Sequence, residues 1–128
     1  MAQQEMSRCS VTEKCLWWFR NYKIYMINGL IKLAKGNKNV VVLNTEALAC
    51  KDCEEFAKFF PERVFSFGLA EANMVSAAAG FALAGKLPVV VGNAQFLIER
   101  AFEQIKNDLV IPNLNVINLF RRIISSIL

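Results

Sequence analysis

Short apolar runs alternate along the chain with longer segments in which apolar residues recur at helical spacing. The run "NVVVLN" at 39–44 is continuous and rich in β-branched residues, as expected of a strand buried on both faces. Further strands are predicted at "RVFSFG", "PVVVG" and "LNVINLF". Helices and buried strands in alternation predict an α/β fold, in which a parallel sheet with right-handed crossovers is flanked by helices.

The predicted helices have clear ends. The segment 21–37 is amphipathic and ends near Gly36, "CKDCEEFAKFF" stops before Pro61, and the helix of "AEANMVSAAAGFALAGKLP" ends at Gly85. A last helix is predicted over "FLIERAFEQIKNDLV". The residues predicted to face the core of the first helix are Tyr22, Met26, Gly29, Leu30 and Leu33, and those of the last are Phe102, Ile105 and Leu109.

Ligands of parallel α/β sheets bind at the carboxyl ends of the strands, so the residues directly after each strand carry the chemical information. These are Asn44 to Glu46, Gly68 to Glu71, and Gly92 to Phe96. Neither a GxGxxG nor a GxxxxGK[ST] loop occurs among them. The domain is therefore not expected to hold a phosphate by its own backbone loop.

Composition excludes several classes of function. The chain has 128 residues, 55% of them hydrophobic, which fits one packed domain. Its 15 basic and 11 acidic residues are scattered rather than clustered, which argues against a nucleic-acid partner. The sequence predicts neither a signal peptide nor a membrane span, and so a cytoplasmic location. With 0 histidines, any imidazole chemistry would have to come from another chain.

Four cysteines, Cys9, Cys15, Cys50 and Cys53, include one CxxC pair. A thioredoxin-type pair follows its strand directly, whereas "NTEALA" separates Cys50 from "VVVL" here. The spacing of "CSVTEKC" does not suit a zinc site. Reduced cysteines are the favoured interpretation, and a CxxC oxidoreductase is a distant alternative.

One carboxylate, Glu71, stands among small residues at the start of a predicted helix, in "FGLAEANMVSAAAG". A carboxylate at this position is stabilised by the helix dipole, so a surface role without chemistry is one interpretation. The alternative is a functional acid at the mouth of the sheet. The small residues after it would allow close approach by another backbone or a flat ring; they are Ala72, Ala77, Ala78, Ala79 and Gly80.

From about Leu30 to Val116 the chain resembles the central, pyrimidine-binding domain of transketolases. The stretches that carry the resemblance are "LAKGNKNVVVLN", "FAKFFPERVFSFGLAEANMVSAAAGFALAGKLP" and "FLIERAFEQIKNDLVIPNLNV". It implies that Glu71 is the catalytic acid that hydrogen-bonds N1' of the aminopyrimidine of thiamine diphosphate, the cofactor that carries the chemistry. It also implies that Phe96 contacts this ring, and the alternative interpretation of Phe96 is a phenylalanine of the core.

The sequence departs from the family pattern in places. Asn93 is assigned here to cofactor binding and stands where the family usually has a stacking phenylalanine. The loss of that stacked ring would weaken cofactor binding by on the order of 1 kcal/mol. Glu46 receives no substrate role. The predicted organisation is a poorly matching extension at 1–20, a transketolase-like domain at 21–119 and a divergent tail at 120–128. The tail is expected to form an edge strand or a short helix, and "CLWWF" to cover a face or meet a partner, with an interfacial membrane helix as the alternative.

The resemblance implies a C-terminal-type transketolase subunit or fragment. A partner, either an N-terminal-type subunit or a second protomer, would hold the diphosphate and Mg²⁺, and this chain would hold no metal. The substrates would be sugar phosphates that exchange a two-carbon ketol unit. Two alternatives remain open: a non-catalytic remnant that acts as an interaction module, and a subunit of a related thiamine-dependent enzyme, such as deoxyxylulose-phosphate synthase or a β-type dehydrogenase subunit.

Overall fold

The structure, a computed structural model, describes residues 26–45 and 51–121. A helix over residues 26–36, α1, precedes β1 (Val40–Asn44), α2 (Lys51–Phe59), a 3₁₀ turn (Pro61–Arg63) and β2 (Val64–Ser66). Then follow α3 (Glu71–Leu83), β3 (Leu87–Asn93), α4 (Ala94–Gln104), a π-helical segment (Ile105–Val110) and β4 (Ile117–Arg121). The predicted N-terminal extension and most of the predicted tail lie outside the described residues.

The four strands form one parallel sheet in the order β2-β1-β3-β4. The predicted α/β fold is confirmed, and so is the central position of β1, whose five residues are all buried. Valine at successive positions suits this strand because side chains alternate between the two covered faces. β4 lies at an end of the sheet and corresponds to the strand predicted at "LNVINLF". The edge strand or short helix expected of the tail stays a prediction.

Two hydrophobic clusters cover the two faces of the sheet. On one face, α1 and α2 pack through Ile27, Leu30, Ala34, Cys53 and Phe56 onto Val40, Val42, Val89 and Val91. On the other, α3, α4 and the π-helical segment pack through Met74, Val75, Ala78, Ala79, Leu97, Ala101 and Leu109 onto Val41, Leu43 and Val90. The helix that begins at Glu71 is therefore fixed against the sheet along its length.

The predicted helix ends are confirmed. α1 ends at Gly36 and α2 ends two residues before Pro61, which cannot continue a helix. α3 ends in a Schellman motif: Gly85 adopts a φ of 81°, its N–H donates to the carbonyl of Ala82, and the N–H of Lys86 donates to the carbonyl of Phe81.

The predicted core faces of two helices are wrong in part. In α1, Leu33 is 39% exposed and Gly29 is exposed, and the buried face is instead Ile27, Leu30 and Ala34. In α4, Phe102 is 61% exposed, whereas Leu97 and Ala101 are fully buried. Both helices carry apolar residues on adjacent faces, and contact with the sheet selects one of them. Of the other predicted core positions of this helix, Met26 is half-buried, and Tyr22 lies outside the described residues.

The π-helical segment explains the remaining buried position in this region. α-Helical spacing from Leu97 and Ala101 leads to Ile105 and then to residue 108, whereas the structure buries Leu109. The extra residue per turn of the π-helical segment shifts the face by one position. The prediction of Leu109 as a core residue is confirmed, and Ile105, four residues before it, packs against the same cluster.

Cys53 is 5% exposed and disulfide-bonded. The expectation that all four cysteines are reduced is therefore wrong for this residue. Cys9, Cys15 and Cys50 lie outside the described residues.

Candidate functional site at the carboxyl ends of the strands

The carboxyl ends of β1 and β3 lie side by side, with Asn44 paired to Val91 in the sheet register. The chain leaves β1 through Asn44 and Thr45, which are 4% and 2% exposed. It leaves β3 through Gly92 and Asn93, and the latter is 5% exposed. Polar side chains are seldom so deeply buried unless they are partnered or functional, so this end of the sheet differs chemically from the apolar clusters below it.

The loop between β2 and α3 brings Glu71 to the same end of the sheet. Its first residue, Phe67, donates its backbone N–H to the carbonyl of Asn44 at 2.8 Å. Gly68 then adopts a φ of 63°, a conformation that suits glycine, and lets the chain turn back towards the sheet. The N-cap of α3 is Ala70, whose methyl side chain cannot accept a hydrogen bond from the first N–H groups of the helix.

Glu71 is the first residue of α3 and is only 3% exposed. The interpretation of Glu71 as a solvated acid on a surface helix is therefore wrong. Carboxylates are almost never fully buried unless they are paired, because removing the charge from water is costly. The helix N-terminus supplies part of the compensation, since its N–H groups favour negative charge.

The remaining compensation comes from Arg100 on α4. Its Nη1 atom lies 3.7 Å from Oε2 of Glu71, and the Arg100 side chain is 56% exposed. This distance is too long for a hydrogen bond, so the contact is an ion pair held by charge attraction. Sequence reasoning missed Arg100, because its only local signal is its position four residues after Phe96 in "FLIER".

Phe96 lies in the first turns of α4, and its side chain is half-buried. The guanidinium carbon of Arg100 lies 4.3 Å from the centre of its ring, within the range of a cation–π contact. Phe96, Arg100 and Glu71 thus form a continuous chain of contacts from the start of α4 to the start of α3. Two of the three residues, Glu71 and Phe96, are predicted from the sequence as site residues.

Asn93 acts as the N-cap of α4. Its Oδ1 atom accepts a hydrogen bond from the backbone N–H of Gln95 at 3.1 Å, and its extended backbone conformation is typical of an N-cap. The structure therefore gives a local reason for asparagine at this position. Its predicted role in cofactor binding stays a prediction.

Asn44 ends β1 with an unmatched polar atom. Its Oδ1 is buried and accepts no hydrogen bond from any residue that the structure describes. A buried acceptor without a donor costs roughly 1–3 kcal/mol, so it marks a position where an added donor would be favourable. Glu46, two residues further on, lies outside the described residues.

The small residues after Glu71 differ in their surroundings. Ala78 and Ala79 are buried against the sheet, and Gly80 is exposed. Their small size lets α3 lie close to β1 and β3, which agrees with the expected close approach of another backbone. The approach of a flat ring to this stretch stays a prediction. Ala72, which directly follows Glu71 in the first turn of α3, is half-buried.

Two further properties concern ligands and membranes. Within residues 26–45 and 51–121, no three His, Cys, Asp or Glu side chains are grouped so that they could hold a metal ion. Among the helices of that same part of the chain, none has the length and apolar character needed to span a membrane.

Comparison with known proteins identifies the family. The family model described as "Transketolase, pyrimidine binding domain" matches residues 22–124. The chain is 42% identical over 87 residues to a putative transketolase C-terminal section of Methanocaldococcus jannaschii, covering 68% of this chain and 28% of that protein. It is 40% identical over 90 residues to a 1-deoxy-D-xylulose-5-phosphate synthase of Syntrophus aciditrophicus, covering 70% and 14%.

A third relative is a subunit of the apulose-4-phosphate transketolase of Actinobacillus succinogenes, 37% identical over 91 residues, with 71% of this chain and 29% of that protein covered. Among solved structures, a split-gene transketolase described as an inactive β4 tetramer matches with a TM-score of 0.68 and 37% identity, covering 78% of this chain and 32% of that one. The chain thus spans less than a third of the length of these relatives. By its fold and by these matches, the chain belongs to the family of transketolase pyrimidine-binding domains.

Proposed function

We propose that this chain supplies the pyrimidine-binding half of a thiamine diphosphate site, and that Glu71 hydrogen-bonds N1' of the aminopyrimidine ring. The observation that carries the proposal is the placement of Glu71. Its carboxylate is 3% exposed, lies at the carboxyl ends of parallel strands and starts a helix. In open α/β sheets this is the edge at which ligands bind.

The side chains at this edge fit an aminopyrimidine. A carboxyl group can exchange a proton with a ring nitrogen, and a half-buried phenylalanine, Phe96, offers an aromatic surface to a flat ring. Within residues 26–45 and 51–121 the buried Oδ1 of Asn44 has no donor, which would make it available to an amino group. When bound, thiamine diphosphate supplies the nucleophile and the electron sink of the reaction. The part of Glu71 is to hold or release the proton at N1', and that of the buried surroundings is to keep water away from it.

The proposed reaction is transfer of a two-carbon ketol unit between sugar phosphates. The transketolase relatives favour it, and the match to a 1-deoxy-D-xylulose-5-phosphate synthase keeps that related thiamine-dependent activity as the nearest alternative. The apulose-4-phosphate transketolase among the relatives is consistent with a phosphorylated sugar as substrate. We place this activity in the cytoplasm, as the sequence predicts.

A second protein is part of this proposal. Relatives are named as a C-terminal section, as one subunit of a transketolase and as a split-gene transketolase, which suggests that a separate chain completes the enzyme. We propose an N-terminal-type transketolase subunit that binds the diphosphate through Mg²⁺. The sequence itself carries neither a glycine-rich phosphate loop nor a histidine.

Reconstitution tests the proposal. The purified chain is mixed with a candidate N-terminal transketolase subunit, thiamine diphosphate and Mg²⁺, and ketol transfer between sugar phosphates is measured. Activity that requires both chains supports the proposal. A synthase product from pyruvate and a triose phosphate would instead favour the deoxyxylulose-phosphate synthase alternative.

A non-catalytic interaction module is the second candidate, and Asn93 is the observation that favours it. The family pattern has a stacking aromatic there, whereas this chain has an asparagine whose oxygen is already engaged in capping α4. Association with the partner subunit without turnover, in the same reconstitution, would support this candidate.

A further inference from the structure

The ion pair at Glu71 leaves half of the carboxylate free. Arg100 approaches Oε2 at 3.7 Å, and within the described part of the chain the other oxygen of Glu71 has no hydrogen-bond donor. Since the contact is longer than a hydrogen bond, it orients the carboxylate by charge and leaves its lone pairs available. A protonated ring nitrogen, which donates its N–H to the carboxylate, can therefore be bound without breaking this ion pair.

Arg100 is itself held in place on the solvent side of the carboxylate. It lies four residues after Phe96, one helical turn along α4, so the two side chains share a face of the helix. The guanidinium lies 4.3 Å from the centre of the Phe96 ring. A cation–π contact of this kind restricts a long side chain that is otherwise 56% exposed.

We propose that Arg100 is a positioning residue for Glu71. Its charge keeps the buried carboxylate in the orientation in which the second oxygen faces the aminopyrimidine nitrogen, and Phe96 keeps Arg100 in reach. This inference rests on the proposed function and adds to it a residue outside the predicted set. It assigns Arg100 no contact with the reacting atoms.

The test uses the full chain and a probe that occupies only the pyrimidine half of the site, namely 4-amino-5-hydroxymethyl-2-methylpyrimidine. Its affinity is measured by titration calorimetry for the wild type and for two variants of similar side-chain length. Arg100→Lys keeps the charge, and Arg100→Met keeps an apolar stem without charge. Lys106→Gln, an exposed cation further along the same helical region, is the matched control.

We expect Arg100→Met to bind the pyrimidine about fivefold more weakly, because the carboxylate loses the cation that orients it. Arg100→Lys should recover most of that loss, to within about twofold of the wild type, since it retains the cation but not the planar group over the ring. Lys106→Gln should bind as the wild type does. Melting temperatures of all variants show whether the fold is retained.

Three results would overturn the inference alone. Met and Lys variants that lose affinity equally would indicate packing rather than charge, and unchanged affinity in both would remove any role. Tighter binding by Arg100→Met would show that Arg100 blocks the crevice. The Glu71→Gln variant separates a failure of this inference from a failure of the proposed function. If Glu71→Gln binds the probe as tightly as the wild type, or if the wild type does not bind the probe, the proposed pyrimidine site is wrong. The inference about Arg100 is then wrong as well.

Discussion

The carboxylate of Glu71 and the guanidinium of Arg100 lie 3.7 Å apart, although 29 positions in the sequence separate them. Glu71 begins α3 and Arg100 belongs to α4, so the contact forms only after both helices have packed on the same face of the sheet. One partner is almost fully buried and the other is half exposed. This asymmetry is expected of an acid that must face an internal ligand while remaining charge-compensated from outside.

Replacing Glu71 by Gln should abolish ketol transfer by the reconstituted enzyme. A positioned acid or base contributes roughly 10²–10⁴-fold to rate, and the amide cannot exchange the proton at N1'. The fold should persist, because the lost ion pair has a half-exposed partner and such pairs contribute about 0–1 kcal/mol. Activity is measured beside thermal unfolding followed by circular dichroism. Glu99→Gln, an exposed acid next to Arg100, is the control and should remain active. A Glu71→Gln variant that keeps a substantial part of the wild-type activity would contradict the assignment.

Replacing Asn93 by Ala should destabilise the chain by about 1 kcal/mol, since α4 loses its side-chain cap. Asn93→Asp and Asn93→Ser retain an oxygen that accepts from the same backbone N–H, and both should stay close to the wild type. Urea unfolding measures the difference. Equal stability of the Ala and Ser variants would show that the cap contributes nothing.

Local signals explain how much of the fold the sequence predicts. The β-branched run of β1, the proline after α2 and the glycine after α3 each act within a few residues, so these elements and their ends are recognisable without the fold. The helix faces are not, because α4 offers Ile98 and Phe102 on one side and Leu97 and Ala101 on the next. Only the sheet decides which pair is buried.

Some residues of the candidate site are likewise predictable from the sequence, and others are not. Glu71 is predictable because an acid that directly follows a strand and a short loop must lie at the strand ends of a parallel sheet. Phe96 and Asn93 follow β3 and are found by the same rule. The same rule does not find Arg100, because Arg100 lies two turns into α4 and reaches Glu71 through a long side chain. The buried Oδ1 of Asn44, which has no donor among the described residues, likewise depends on packing that no sequence pattern predicts.

Gly92 should not tolerate a larger residue. A Cβ atom added there would lie 2.9 Å from Cδ1 of Leu97, which is fully buried. Gly92→Ala is expected to destabilise the chain by about 1–3 kcal/mol, as overpacking of a core does. The second change Leu97→Val removes the clashing group, so the double variant should lose less stability than the two single losses combined. Strict additivity of the two effects in urea unfolding would show that the contact is not the cause.

Gly85 and Gly80 should respond oppositely to the same substitution. Gly85 has a φ of 81° at the end of α3, whereas Gly80 lies within that helix with nothing within 4 Å of an added Cβ. Gly85→Ala should therefore cost roughly 1–2 kcal/mol through left-handed backbone strain, although no contact is disturbed. Gly80→Ala should stabilise by about 0.5–1 kcal/mol, because alanine has the higher helix propensity.

Thermal and urea unfolding of Gly85→Ala and Gly80→Ala test whether the two substitutions change stability in opposite directions. Gly85→Asn serves as the control, since asparagine tolerates the left-handed conformation better than alanine and should recover part of the loss. If Gly85→Ala is as stable as the wild type, α3 does not end in a Schellman motif. The turn into β3 would then need another explanation, because this motif is what redirects the chain from the helix that begins at Glu71 to the strand that ends at Asn93.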